Sequence, residues 1–273
     1  MVRRDYTVLL ILGILALFIW LRDISWMSSG EDTLPILVAL PVFFSLGRPW
    51  KFTPEERPFE LPVPRLALVA VLFLLGIVAE STLLLAIAWT LILWTWLQHR
   101  IKPEDRPHLS KLLVLPIMSF PWVTLDMQQL GWYFRLSGAW ATAQIYTLLG
   151  YDVQYGGTTI LIDQLPISVE AACAGLNTLQ SMLIAGSVVA YIVLGETKRY
   201  WPNIALLVVM AWIANTSRIL LLSAVALAFG RDFALGAFHT WGGWFILVVM
   251  FVLCWLLFEL QAPKPVTKSK AEP

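Results

Sequence analysis

The chain has 273 residues, 59% of them hydrophobic and only 14% charged, with a mean hydropathy of +0.74. So small a polar share cannot cover a water-soluble globule, which points to a chain that crosses a lipid bilayer repeatedly. The net charge of +1 is spread over short basic clusters between apolar runs and gives no footprint for nucleic acid.

A helix needs about 20 apolar residues to cross the hydrocarbon core, fewer or more with tilt. On that measure the sequence predicts an all-α integral membrane protein with about eight transmembrane helices, a small extracytoplasmic β-hairpin and an interfacial helix. The first span covers 6–21; it follows Arg3 and Arg4 but no small-residue cleavage site, so it reads as a membrane helix and not a removable leader. The second covers 33–46, with Pro35 and Pro41 inside it, and a proline-rich charged loop fills 47–65. Spans three and four, 66–79 and 82–98, form a hairpin around Glu80 and Ser81, followed by a charged loop at 99–111. The fifth, 112–130, contains Pro116, Pro121 and Asp126, which predicts a kink and a far end lined by protein or water. Residues 132–149 carry Arg135 and Gln144 among small and apolar residues and read as an interfacial or re-entrant helix. Alternation on either side of Asp163 and Gln164 predicts a β-hairpin over 158–169. Spans six to eight then cover 171–194, 201–228 and 240–260, before a polar, disordered tail.

The basic residues orient this layout. With the N-terminus inside, Arg3, Arg4, Arg48, Lys51, Arg57, Arg65, Arg100, Lys102, Arg106, Lys111, Lys198, Arg199, Lys264, Lys268 and Lys270 all fall on the cytoplasmic side, fifteen of the nineteen. Arg22, Arg135, Arg218 and Arg231 are left outside. Both termini are then cytoplasmic, and parity places Cys173, Arg218 and His239 at the extracytoplasmic ends of spans six, seven and eight.

Cys173 lies in ISVEAACAGLNTL (167–179), where a β-like run passes into an apolar helix. A cysteine among alanines is by default a small packing residue, but a helix start offers free N–H groups and a positive dipole end that lower a thiol pKa. Glu170 would cap that helix or orient a basic partner. Arg218, in WIANTSRILLLSAVALAF, must face protein or a wet cavity, either paired with Glu170 or Asp126 or acting on a substrate. Asn215, three residues earlier on the same helix face, allows the two side chains to act together. His239 stands beside Trp241 and the pair Gly242–Gly243, whereas His99 and His108 belong to the basic loop. Thiolate, imidazole and guanidinium together are the parts needed for acyl transfer through a thioester. No GxSxG or HExxH pattern is present. Cys173 and Cys254 are too far apart in kind and place to suggest a disulfide, and no metal ligand spacing or cofactor motif occurs.

VEAACAGLN at 169–177, NTSR at 215–218 and FHTWGGW at 238–244 resemble, in that order, the motifs of the exosortase/archaeosortase family of membrane cysteine transpeptidases. The resemblance covers roughly 110–260; the first four spans agree in number and hydropathy. It implies a Cys173, Arg218 and His239 triad in the cell (inner or plasma) membrane; Glu170, Asn215 and Asp126 are supporting candidates from the reading of the residues themselves. It also implies a substrate class: exported proteins whose C-terminal sorting tail comprises a short motif such as PEP, a transmembrane helix and a basic end. Ala174 departs from the serine that often follows the family's cysteine. On this reading 1–111 is an N-terminal four-helix transmembrane region, 112–260 the catalytic transmembrane core and 261–273 the cytoplasmic tail. The other function classes that the sequence leaves open are a non-enzymatic transporter or scaffold of a polysaccharide-export system, and an intramembrane protease that hydrolyses without transfer.

Overall fold

The computed structural model describes residues 3–28, 30–52, 62–168 and 175–263. Helices α1 (Arg3–Leu21), α2 (Gly30–Leu46), α3 (Val63–Val78) and α4 (Thr82–Arg100) come first. Three short helices follow, α5 (Arg106–Lys111), α6 (Val114–Met118) and α7 (Trp122–Asp126), and then α8 (Gln128–Leu148). Strands β1 (Val153–Gly156), β2 (Thr159–Ile162) and β3 (Leu165–Ser168) separate α8 from α9 (Leu176–Leu194), α10 (Tyr200–Phe229), the short α11 (Arg231–Leu235) and α12 (Ala237–Gln261).

Among the described residues, four helices are long and apolar enough to cross a bilayer: Thr82–Arg100, Leu176–Leu194, Tyr200–Phe229 and Trp241–Gln261. Tyr6–Leu21, Thr33–Leu46 and Val63–Val78 are apolar but shorter. The expected eight spans are therefore not all present as full-length helices, and the fifth is absent as a continuous one. Prolines explain it: Pro107 opens α5, Pro116 sits inside α6 and Pro121 is the N-cap of α7, so that no ladder of amide donors runs through 106–126. The stretch expected as an interfacial helix over 132–149 belongs to α8, which starts earlier, at Gln128, and packs along α10.

The helices are antiparallel where loops are short, and hydrogen bonds between loops define two ends of the bundle. At one end Lys111 Nζ donates to the carbonyls of Gly195 and Thr197, and Tyr200 Oη donates to the Lys111 carbonyl at 2.7 Å. There, too, Asn203 and Gln261 exchange amide hydrogen bonds of 2.9 and 3.1 Å, tying the start of α10 to the end of α12. At the other end the Asp126 carboxylate accepts from Ser81 Oγ at 3.0 Å and from the backbone N–H groups of Thr82 at 3.1 Å and Leu83 at 2.7 Å. Those are otherwise orphaned donors of the first turn of α4.

The expected hairpin is present as β2 and β3, and its Asp163–Gln164 turn has φ of 47° and 69°, the left-handed pair of a tight two-residue turn. A third strand, β1, pairs on the other side of β2. Ile160 and Ile162, alternate residues of β2, are fully buried against Ala139, Ala143 and Tyr146 of α8 and Ile219 of α10. The sheet is thus seated on the α8–α10 pair beside residue 219. Tyr146 Oη reinforces that seat by donating to the Leu220 carbonyl at 3.1 Å.

Candidate functional site

α9 and α10 run antiparallel in close contact. Gly186 is pressed on Leu207, since a β-carbon at 186 would lie 2.5 Å from Leu207 Cδ2. The same register brings the start of α9 to Asn215: a β-carbon at Gly175 would lie 2.7 Å from Asn215 Cγ and 2.9 Å from Oδ1. Gly175 is the N-cap of α9 with φ of 76° and ψ of 4°, so both its backbone and its neighbour require glycine. Beyond Asn215, α10 continues to Phe229 and carries Arg218 about 27 Å from Tyr200 at 1.5 Å per residue. That is close to the thickness of a hydrocarbon core, about 30 Å.

α12 packs against the same stretch of α10. A β-carbon at Gly243 would stand 3.1 Å from both Cζ and Nε of Arg218 and 3.3 Å from Nη2. Gly138 of α8 approaches from another side, its missing β-carbon 2.8 Å from Ile219 Cδ1, 3.5 Å from Thr216 Oγ1 and 3.9 Å from Asn215 Nδ2. Three helices, α8, α9 and α12, therefore converge on residues 215–219, each through a glycine.

The environment around Asn215 is buried and polar. Asn215 is wholly buried, and neither its amide nitrogen nor its oxygen has a hydrogen-bond partner among the described residues. The buried hydroxyls of Thr142 on α8 and Thr216 on α10 are in the same condition. A buried polar atom without a partner costs about 1–3 kcal/mol, so such a group is a feature to be explained.

Of the residues singled out by sequence, Arg218 and Asn215 are described in full and stand together, one turn apart on α10. His239 occupies the first turn of α12, one turn before Gly243, and it is described through its backbone. Cys173 and Glu170 lie outside the described residues. What the described residues bring together at this end of α10 is Gly175 against Asn215 and Gly243 against Arg218. The contacts of Asp126 are those of a helix cap on α4. Sequence reasoning did not find Gly138, Thr142, Thr216 or the part played by Gly243. A signal for the first two was present in the spacing of small residues at 138, 139, 142 and 143, which marks close helix packing.

A family model described as Transmembrane exosortase (Exosortase_EpsH) matches residues 3–256. No curated protein and no solved structure matches the chain. The matched range runs from α1 to the last turns of α12, so it takes in the N-terminal helices, whose likeness in sequence was one of number and hydropathy alone, as well as all three motif segments. The protein is a membrane protein that belongs to the transmembrane exosortase family.

Proposed function

We propose that the protein is a cysteine transpeptidase or protease that cleaves the C-terminal sorting tail of exported proteins at the extracytoplasmic face of the cell membrane. The Cys173 thiolate attacks the scissile carbonyl carbon, and the carbonyl oxygen takes the negative charge beside the Arg218 guanidinium. Collapse of the tetrahedral adduct breaks the C–N bond. His239, having taken the thiol proton, gives it to the departing amine. The thioester is then resolved by an amine, a hydroxyl or water, which loses its proton to His239 as the thiolate leaves. Glu170 and Asn215 are supporting residues in this scheme. Both chain termini face the cytoplasm on this reading, and the basic end formed by Lys111, Lys198 and Arg199 is the inner one.

The observation that carries this reading is the packing of Gly175 on Asn215 and of Gly243 on Arg218. It supports the reading because Gly175, two residues after Cys173, and Gly243, four after His239, pack on neighbouring residues of α10, as a shared reacting carbonyl would require. The test is a co-expressed exported protein ending in a short motif, an apolar helix and a basic cluster. Replacing Cys173 by Ala or Ser should abolish its processing while the enzyme remains inserted; undiminished cleavage by Cys173→Ala would overturn the assignment.

A further inference from the structure

Gly243 lies inside α12, where alanine is the better helix former. Its place is explained by what a side chain there would meet. The missing β-carbon would be almost equidistant from Cζ, Nε and Nη2 of Arg218, at 3.1, 3.1 and 3.3 Å. Approach from the edge of the group would put Cζ well beyond the nitrogens. Equal distances mean that position 243 faces the flat side of the guanidinium. The in-plane N–H donors of Arg218 are then directed along the surface of α12 and not into it. Gly13, in α1, is the contrast, since a β-carbon there meets nothing within 4 Å.

We propose that Gly243 is a positioning residue: its bare backbone is the seat on which the Arg218 guanidinium lies, and it fixes where those donors meet the substrate oxygen. The inference rests on the reading of Arg218 as the oxyanion-stabilising group. A methyl at 243 would displace the guanidinium by a few tenths of an ångström. Oxyanion donors act within a narrow distance range, so a shift of that size is felt in the transition state more than in ground-state binding.

The experiment compares sorting-tail cleavage by membrane preparations of the full chain carrying Gly243→Ala, Gly13→Ala, Arg218→Lys, Cys173→Ala and the Gly243→Ala/Arg218→Lys pair, at matched amounts of inserted protein. Gly243→Ala is expected to lower kcat on the order of 10-fold with KM unchanged, and Gly13→Ala to have no effect. In the Arg218→Lys background, where no flat group needs a seat, Gly243→Ala should cost nothing further. Wild-type turnover by Gly243→Ala, or an equal proportional loss in both backgrounds, would overturn the proposal. If Arg218→Lys has no measurable turnover, the kcat–KM split decides: a raised KM at unchanged kcat overturns it. Full activity of Arg218→Lys or of Cys173→Ala would instead overturn the underlying assignment of the site, an outcome distinct from the failure of Gly243 alone.

Discussion

Asn215 of α10 and Gly175, the N-cap of α9, are in contact so close that a β-carbon on the glycine would overlap the Asn215 carboxamide, at 2.7 Å from Cγ and 3.0 Å from Cβ. Two costs would follow from Gly175→Ala. The left-handed backbone costs an L-residue about 1–2 kcal/mol, and the steric overlap adds to it. The substitution should therefore lower stability by more than 2 kcal/mol or so, read as a fall in the unfolding midpoint of the detergent-solubilised protein. Removing the overlap by Asn215→Ala should return part of this loss, leaving the backbone cost. Identical costs of Gly175→Ala in the two backgrounds would mean that the two residues do not meet as described.

Asp126 yields a prediction of the opposite kind, one of stability without function. Its carboxylate satisfies two backbone N–H groups and one hydroxyl at the start of α4, where the helix dipole also favours a negative charge. Asp126→Ala should cost about 2 kcal/mol of stability and leave tail cleavage per inserted molecule unchanged. Loss of turnover without loss of stability would instead tie Asp126 to the reacting centre.

The same residue shows where sequence reading reaches its limit. A carboxylate in an apolar stretch announces that it needs a partner, but a helix N-terminus satisfies it as well as an arginine does, and nothing in the order of residues distinguishes the two. The apolar runs of α1 to α4, α9, α10 and α12 were legible because burial in lipid demands them. The Asp163–Gln164 turn was legible from its flanking alternation. The segment 112–130 was not, because prolines in an apolar run are compatible with both a kinked span and a chain of short helices. β1 was missed because the alternation of VQYG is only four residues long and runs into the glycine pair at 156 and 157. Gly243 was noticed only as a neighbour of His239. A helix glycine in a single sequence does not say whether the space beside it is filled, as at Gly243, or open, as at Gly13.

The unpartnered hydroxyl of Thr142 leads to a prediction about packing. The side chain is fully buried, and its Oγ1 has no hydrogen-bond partner among the described residues. Replacing a hydroxyl in that condition by a methyl removes a desolvation cost and keeps the shape. Thr142→Val should thus be neutral or stabilising by up to about 1 kcal/mol. Asn203→Leu serves as the comparison, because Asn203 exchanges two hydrogen bonds with Gln261; it should destabilise by about 1–3 kcal/mol. If Thr142→Val is as damaging as Asn203→Leu, Thr142 has a partner outside the described residues.

The two cysteines differ in a way that separates the enzymatic reading from a transport or scaffold role. Cys254 is 1% exposed within α12, so a membrane-impermeant maleimide should not reach it in the folded protein. Labelling from the outside should therefore report Cys173 alone. Cys173→Ala protein should stay unlabelled until it is denatured, and then react once. An imidazole beside the thiol holds part of it as thiolate near neutral pH, whereas an ordinary thiol, with a pKa of about 8.5, is only a few per cent ionised there. His239→Ala should accordingly slow labelling at pH 7 by about tenfold, and raising the pH should close the gap as both proteins ionise fully. A transporter or scaffold places no such demand on Cys173, and labelling that is indifferent to His239 at every pH would favour it.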